Sequence, residues 1–120
     1  MPEAGDLIWT DFDPRVGREQ SGRRPALVIS PAEFCRVTEF AIVCPITSRV
    51  RPFGTSVVLP PGLPVSGEIL TSHVRSIDTI ARPISYAGAT APAATLDDVR
   101  SKLAALIGLW DPATRLTPER

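Results

Sequence analysis

Residues 24–31 read Arg24-Pro25-Ala26-Leu27-Val28-Ile29-Ser30-Pro31, and the four central residues are all apolar. An apolar run without polar alternation is typical of a β-strand that is covered on both faces. The same pattern recurs over residues 40–46, which predicts a second strand of this kind. With 13 prolines in the chain, which imply many strand ends and turns, we expect a β-rich fold and not an all-helical one.

Further elements are predicted on both sides of this stretch. Residues 5–12 form a β-type run that Asp13-Pro14 ends, because proline restricts the residue before it. Residues 13–22 have the glycine and polar content of a long loop. The remaining predictions are a helical turn over 32–36 with Ser30 as its cap, strands over 55–59 and 67–77, and an edge strand over 80–87 that Pro83 weakens.

The C-terminal third changes from strand to helix periodicity. Thr95 and Asp98 approximate a capping box, and Gly108 is suited to ending a helix. The apolar positions between them form one stripe at helical spacing: Leu96, Val99, Leu103, Leu106 and Ile107. Five to six short strands followed by one amphipathic helix predict a mainly β fold with α, a small curled antiparallel barrel with the helix packed on it.

The length and composition limit the possible classes of protein. A chain of 120 residues builds one compact domain, which we place at residues 1–109, followed by a polar C-terminal tail at 110–120. No run of 18 apolar residues and no secretory signal is present, so we expect a cytoplasmic protein without a membrane segment. The hydrophobic content of 43% argues against a disordered chain.

The net charge of zero conceals an uneven distribution. Residues 1–14 contain four acidic residues and no basic one, whereas residues 15–51 contain seven arginines against three glutamates. Arginine accounts for 12 of the 13 basic residues, and its planar fork matches phosphate groups. This composition is compatible with a polyanionic ligand and equally with arginines that only solvate a surface.

The cysteines and the lone histidine do not predict a metal site. Cys35, Cys44 and His73 are too few for a typical zinc site, and their spacing matches no usual ligand pattern. Cys44 lies inside an apolar strand, where thiols are usually inert. We expect reduced structural thiols, no metal and no cofactor.

Four segments, in order along the chain, resemble the MazF/PemK family of toxins. The first two are residues 5–14, Gly-Asp-Leu-Ile-Trp-Thr-Asp-Phe-Asp-Pro, and residues 19–30, Glu-Gln-Ser-Gly-Arg-Arg-Pro-Ala-Leu-Val-Ile-Ser. The third is residues 44–48, Cys-Pro-Ile-Thr-Ser, and the fourth is residues 73–78, His-Val-Arg-Ser-Ile-Asp. Together with the leucine-rich helix, the resemblance extends over about residues 5 to 109.

This resemblance implies a fold, an activity and partners. The family fold is an SH3-like curled sheet with a C-terminal helix. Its members are metal-independent endoribonucleases that cut single-stranded RNA, form homodimers and are inhibited by a cognate antitoxin. The products of such cleavage are a 2′,3′-cyclic phosphate and a 5′-OH. Carried over by position, the catalytic arginine corresponds to Arg24 and the catalytic threonine to Thr47.

The chemistry of RNA cleavage suits these residue types. The ribose 2′-OH can attack its own phosphodiester, so the enzyme has to position the RNA, transfer protons and stabilise negative charge. Arginine is a poor base because its pKa lies above about 12, so we assign Arg24 to charge stabilisation and Thr47 to holding the phosphate. Glu19 is the candidate proton acceptor. Without the motif, Arg24 would be interpreted as a surface arginine and Thr47 as a hydroxyl bonded to a neighbouring backbone.

A second group of residues consists of candidates for RNA binding, and its four arginines either contact phosphates or only face water. It comprises Asp13, Gln20, Arg23, Ser48, Arg49, Arg51, His73 and Arg75. Trp9 and Phe12 are expected in the core because both lie within a strand pattern. Ser72-His73 stands where many family members have an acid followed by glutamine, which predicts a different base preference.

Two other functions remain open. The first is a protein-binding toxin of the gyrase-poison type on the same fold, which would not use Arg24 and Thr47. The second is a catalytically silent module that binds RNA or protein, because a fold alone does not determine function. An RNA cleavage assay distinguishes the three.

Overall fold

The computed structural model describes residues 1–12, 23–51 and 54–109 of the chain. Seven short strands and two helices make up this part, in a mainly β arrangement. In chain order they are β1 (Asp6–Asp11), β2 (Arg23–Val28), α1 (Ala32–Thr38), β3 (Phe40–Thr47), β4 (Val57–Val58), β5 (Glu68–Ile69), a 3-10 turn (Thr71–His73), β6 (Arg75–Asp78), β7 (Ser85–Thr90) and α2 (Ala93–Leu106). The predicted tail at 110–120 lies outside the described residues.

The strands form one curled antiparallel sheet in the order β4-β5-β3-β2-β1-β7, with β6 also paired to β3. Both faces of its centre are buried. Along β2, Leu27 packs into one apolar cluster, whereas Ala26 and Val28 pack into another. This alternation between two cores confirms the prediction of a strand covered on both faces, and with it the expected curled sheet.

Helix α2 covers one face of the sheet. Val99 is fully buried in the cluster that contains Leu27, and Leu96 and Leu103 pack against that cluster. The helix ends in a Schellman arrangement in which the N–H of Leu109 donates to the carbonyl of Ala104, and Gly108 adopts a φ of 78°. The glycine that ends the helix is confirmed, and so is the stripe from Leu96 to Leu103. Its predicted continuation through Leu106 and Ile107 is wrong, because both side chains are exposed. None of the helices in the described ranges is both long and apolar enough to cross a membrane.

Both predicted helix caps are wrong. Helix α2 begins at Ala93 after Pro92, no side chain caps it, and Thr95 is a buried helical residue. Helix α1 begins after Pro31 and runs two turns to Thr38, while the Ser30 hydroxyl accepts the N–H of Ile42 instead of a helical one. In both places a proline with extended backbone already sets the entry to the helix, so the hydroxyl residue is free for tertiary contacts.

The long strand predicted over 67–77 is divided into β5 and β6. Both pair with β3, and the break lies beside Pro45. The carbonyl of Pro45 accepts the N–H of Leu70 at 2.8 Å, but proline has no N–H to return, so the ladder is interrupted and the chain forms the 3-10 turn.

The predicted edge strand over 80–87 is shifted to β7, which begins at Ser85 after Pro83. Residues 79–82 form a turn because the Asp78 carboxylate accepts the N–H groups of Ile80 and Ala81 at 2.9 and 3.2 Å. The backbone carbonyl of Asp78 also accepts the N–H of Arg82 at 2.9 Å.

Candidate active site

A cleft of about 410 Å³ opens where β2 and β3 meet the turn that precedes β5. We call it the Arg24–Thr47 cleft. It is lined by Trp9, Arg23, Arg24, Pro25, Ile46, Thr47, Ser48, Pro64, Val65 and Ser66. The two residues that the family resemblance gives a catalytic role therefore lie on one concave surface, although they are 23 positions apart in the sequence.

The register of the sheet explains why Arg24 and Thr47 meet. In the pairing of β2 with β3, Ala26 lies opposite Pro45. Continuing this register by two residues places Arg24 opposite Thr47. Because residues two apart on a strand lie on the same face, Arg24 shares the face of Ala26, and Thr47 shares the face of Pro45. Arg24 is exposed, and its guanidinium forms no hydrogen bond with any residue that the structure describes. Its donors are therefore available to a ligand.

Thr47 is half-buried at the end of β3. Its hydroxyl oxygen accepts the backbone N–H of Arg49 at 3.2 Å. That bond occupies a lone pair and leaves the hydroxyl hydrogen to be donated. Thr47 can thus donate a hydrogen bond to an anionic oxygen in the cleft, beside the guanidinium of Arg24.

A buried carboxylate holds the segment that follows Thr47. Glu68 on β5 is 1% exposed, and its Oε1 accepts the N–H of Arg51 at 2.8 Å. Its Oε2 accepts a hydrogen bond from the hydroxyl of Ser56. Glu68 therefore fixes two points of the chain between β3 and β4. Between these two points, the carbonyl of Gly54 accepts a hydrogen bond from Lys102 on α2 at 3.0 Å.

Gly67 allows β5 to approach the backbone of Thr47. Its φ is 133°, a conformation that side chains rarely adopt, and a Cβ at this position would collide with the carbonyl of Thr47. A glycine at position 67 is therefore required for the position of Thr47 in the cleft.

The other predicted site residues divide into three groups. Arg23 and Ser48 line the cleft, and Arg49 and Arg51 are exposed on the segment after Thr47. His73 and Arg75 do not line the cleft. His73 is exposed on the 3-10 turn. The Arg75 guanidinium lies 5.4 Å from the ring centre of Phe12 and donates a hydrogen bond to the carbonyl of Phe12 at 3.2 Å. Asp13, Glu19 and Gln20 lie outside the described residues.

Sequence reasoning missed several contributors to this region. Trp9, expected in the core, is half-buried and forms part of the cleft wall, whereas Phe12 is buried as expected. The wall at 64–66 lies between the strands predicted over 55–59 and 67–77, and the sequence did not indicate it as part of the site. Glu68 was not singled out, although a glutamate between Gly67 and Ile69 in a strand pattern is a visible signal of a polar group in an apolar setting.

Both cysteines are buried and reduced, as expected. Burial raises the pKa of the Cys44 thiol from its ordinary value of 9.0 to about 12. Within the described ranges, no group of three or more His, Cys, Asp or Glu side chains is placed to hold a metal ion.

Comparison with known proteins places this architecture in one family. Residues 3–107 match the model of the PemK-like, MazF-like toxins of type II toxin–antitoxin systems. The endoribonuclease toxin MazF of Escherichia coli (strain K12) is 39% identical over 108 residues, which cover 90% of this chain and 96% of MazF.

Solved structures agree with this assignment. A crystal structure of MazF from Deinococcus radiodurans is 48% identical, with a TM-score of 0.80 over 89% of this chain and 96% of that one. A MazE–MazF structure from the same organism is 44% identical, with a TM-score of 0.78 and coverage of 89% and 95%. The chain belongs to the PemK-like, MazF-like family of type II toxins.

Proposed function

We propose that the chain is the endoribonuclease toxin of a toxin–antitoxin system and cleaves single-stranded RNA by attack of a ribose 2′-OH. The observation that carries this proposal is the convergence of Arg24 and Thr47 on one cleft. One offers guanidinium donors and the other a hydroxyl hydrogen. The similarity to MazF, which is named as an endoribonuclease toxin, supports the same activity.

In this reaction the 2′-oxygen forms a bond to phosphorus, and the bond from phosphorus to the 5′-oxygen breaks. The 2′-OH loses a proton and the leaving 5′-oxygen gains one, so the products are a 2′,3′-cyclic phosphate and a 5′-OH. Extra negative charge accumulates on the phosphoryl oxygens in between. Arg24 stabilises that charge and donates toward the leaving oxygen, while Thr47 holds the scissile phosphate by a hydrogen bond.

The nucleophile comes from the substrate, so the proposed mechanism requires no metal ion and no covalent enzyme intermediate. The candidate for the group that accepts the proton of the 2′-OH is the carboxylate of Glu19, a residue type suited to general base catalysis. Exchanging Glu19 for Gln tests that role through the pH–rate profile, whose acidic limb should disappear if this carboxylate is the base.

The decisive experiment is an RNA cleavage assay in excess EDTA, with single-stranded and duplex RNA compared. We expect cleavage of the single strand, ends that carry a cyclic phosphate and a 5′-OH, and no cleavage when the nucleotide before the scissile phosphate is 2′-deoxy. Loss of activity in EDTA that is restored by a divalent metal would contradict the mechanism. Absence of cleavage for every RNA tested would instead favour the gyrase-poison type or the silent binding module.

We further propose that a cognate antitoxin binds the same cleft with an acidic segment. Arg23, Arg24, Arg49 and Arg51 are exposed around the cleft and attract carboxylates as well as phosphates. The occurrence of MazE–MazF structures among the similar proteins supports such a partner. Saturating antitoxin should displace RNA competitively, and unchanged RNA binding would contradict a shared site.

A homodimer is the proposed assembly. Val37 and Ile80 are 72% and 67% exposed, and Phe40, which begins β3, is also exposed. The backbone of residue 79 bonds to that of residue 39, so these apolar side chains come from adjacent segments. Apolar surface of this kind is stabilised by burial against a second copy. Sedimentation at micromolar concentration should show a dimer, and Val37→Asp should shift it toward monomer.

A further inference from the structure

A second cleft, of about 320 Å³, adjoins the Arg24–Thr47 cleft. We call it the flanking cleft, and it is lined by Asp11, Arg23, Ala81, Arg82 and Pro83. Arg23 lines both clefts. A linear ligand that occupies the first cleft can therefore continue past Arg23 into the second.

The guanidinium of Arg23 is fixed at the boundary between the clefts. Its Nη2 donates to the carbonyl of Trp9 at 2.9 Å and to the hydroxyl of Ser85 at 2.6 Å. These acceptors are themselves fixed, because Trp9 and Ser85 are opposed in the pairing of β1 with β7. Holding the guanidinium in place lowers the entropy that it loses when it binds an anion.

Arg82 is held in a similar way on the other side of the flanking cleft. Its Nη1 donates to the carbonyl of Asp11 at 2.7 Å, and its turn is fixed by the Asp78 carboxylate. Asp11 in turn lies opposite Arg23 in the pairing of β1 with β2. A guanidinium has five N–H donors, and this is the one side-chain hydrogen bond of Arg82 to the described residues. Most of its donors can therefore bind a ligand.

We propose that the flanking cleft binds a phosphodiester of the RNA next to the one that is cleaved. The inference rests on the proposed function. Among the described residues that line the cleft, two fixed guanidiniums stand against one carboxylate, that of Asp11, and the resulting net positive charge suits one singly charged diester. The small side chains of Ala81 and Pro83 leave room for it. The contact positions the RNA relative to Arg24 and Thr47 without taking part in the chemistry.

The test compares wild type with Arg82→Gln, because glutamine keeps a donor for the carbonyl of Asp11 and removes the charge. Arg82→Ala is the second variant, and Arg36→Ala on α1 is the control that removes one exposed arginine elsewhere. The probe is a short synthetic RNA, centred on a mapped cleavage site and made uncleavable by one 2′-deoxy nucleotide. We expect Arg82→Gln to weaken binding about tenfold, and to reduce the slope of log affinity against log salt by about 0.7.

A second set of RNAs identifies the contacted group. Each carries one uncharged methylphosphonate at a different position beside the cleavage site. At one position the neutral linkage should weaken binding to wild type about tenfold and leave binding to Arg82→Gln unchanged, since both changes remove the same contact. The proposal would be overturned if, at every position, the loss of affinity from the methylphosphonate added to the loss from Arg82→Gln. It would also be overturned if Arg82→Gln bound RNA like wild type.

The cleavage assay separates this proposal from the proposed function. With cleavable RNA, Arg82→Gln should raise KM and leave kcat near the wild-type value, whereas a variant of the cleaving residues lowers kcat. If the protein cleaves no RNA but Arg82→Gln still weakens RNA binding, the flanking cleft is an RNA site and the proposed endoribonuclease activity is wrong. If Arg82→Gln weakens binding of a polyglutamate peptide and not of RNA, the cleft is a protein site and the proposal is wrong.

Discussion

Thr47 on β3 and Glu68 on β5 lie directly opposite each other in the antiparallel pair. Thr47 supplies the hydroxyl of the cleft, and Glu68 fixes the segment that Thr47 begins, through the N–H of Arg51 and the hydroxyl of Ser56. The placement of the exposed Arg49 and Arg51 therefore depends on a carboxylate that a ligand in the cleft does not reach.

Replacing Glu68 by alanine should destabilise the protein and weaken RNA binding. The change removes the acceptor of two hydrogen bonds in a buried place, and each unsatisfied group costs about 1–3 kcal/mol. Urea denaturation measures the loss of stability, and KM reports the loosened segment. The control is Glu33→Ala, which removes an exposed glutamate that pairs with Arg36 on α1. If Glu68→Ala unfolds at the same urea concentration as Glu33→Ala, the anchoring role is wrong.

Gly67→Ala should reduce RNA cleavage far more than Gly62→Ala. Both glycines have positive φ, at 133° and 95°, so both substitutions strain the backbone. Only the Cβ at 67 would also collide with Thr47, because the space around Gly62 is open. A displaced Thr47 can cost about 10²-fold in rate, whereas Gly62→Ala should stay close to wild type in specific activity. Equal rates for the two folded variants would show that Gly67 does not position Thr47.

Arg24→Ala should lower the cleavage rate by about 10² to 10³, comparable to the loss of one donor that stabilises an anionic transition state. Thr47→Val should lose less, because it removes one hydrogen bond from an uncharged donor to the phosphate and preserves the shape of the side chain. Single-turnover cleavage of a mapped RNA measures both. Arg36→Ala serves as the control, and circular dichroism shows whether each variant is folded. An Arg24→Ala protein that cleaves RNA at the wild-type rate would remove the central assignment.

The stability of the protein should fall between pH 9 and pH 12, the range bounded by the ordinary pKa of a thiol and that of Cys44. In the unfolded chain the thiol ionises near pH 9, whereas in the fold it stays protonated up to about pH 12. The contribution of the neutral thiol is therefore complete below pH 9 and is lost as the pH rises, by up to about 1.4 kcal/mol per pH unit.

Urea denaturation at several pH values measures this dependence. Cys44→Ala should flatten it, while Cys35→Ala leaves the Cys44 thiol in place and should preserve the slope. Parallel curves for wild type and Cys44→Ala would contradict the prediction.

The sequence predicted best those features that depend on neighbouring residues. The apolar run from Ala26 to Ile29 indicated a strand with two covered faces, because burial of successive side chains on a strand requires cover on both sides. The spacing from Leu96 to Leu103 indicated the face that α2 packs on the sheet. Both predictions concern patterns within one element, and both are confirmed.

The two cap errors came from prolines next to the helices, Pro31 and Pro92, whereas the errors in the strands and the site arose where the cause lies on another strand. The break between β5 and β6 depends on the missing N–H of Pro45, which no pattern within residues 67–77 shows. Glu68 was overlooked because a glutamate in a strand usually faces water, and its burial depends on donors from Arg51 and Ser56. The cleft was predicted only in part. The family motifs identified Arg24 and Thr47, whereas the position of the wall at 64–66 depends on the path of the chain before β5 pairs with β3.

The burial of Cys35 and Cys44 also makes the native chain a convenient starting point for spectroscopy. These are the two cysteines of the chain, and neither presents a thiol to solvent, so a maleimide dye should leave the folded protein unmodified. One thiol introduced by Ser66→Cys, at an exposed position of the cleft wall, would then carry the only fluorophore. Occupation of the cleft by RNA or by an antitoxin could be followed in real time, without first removing a native residue from the core.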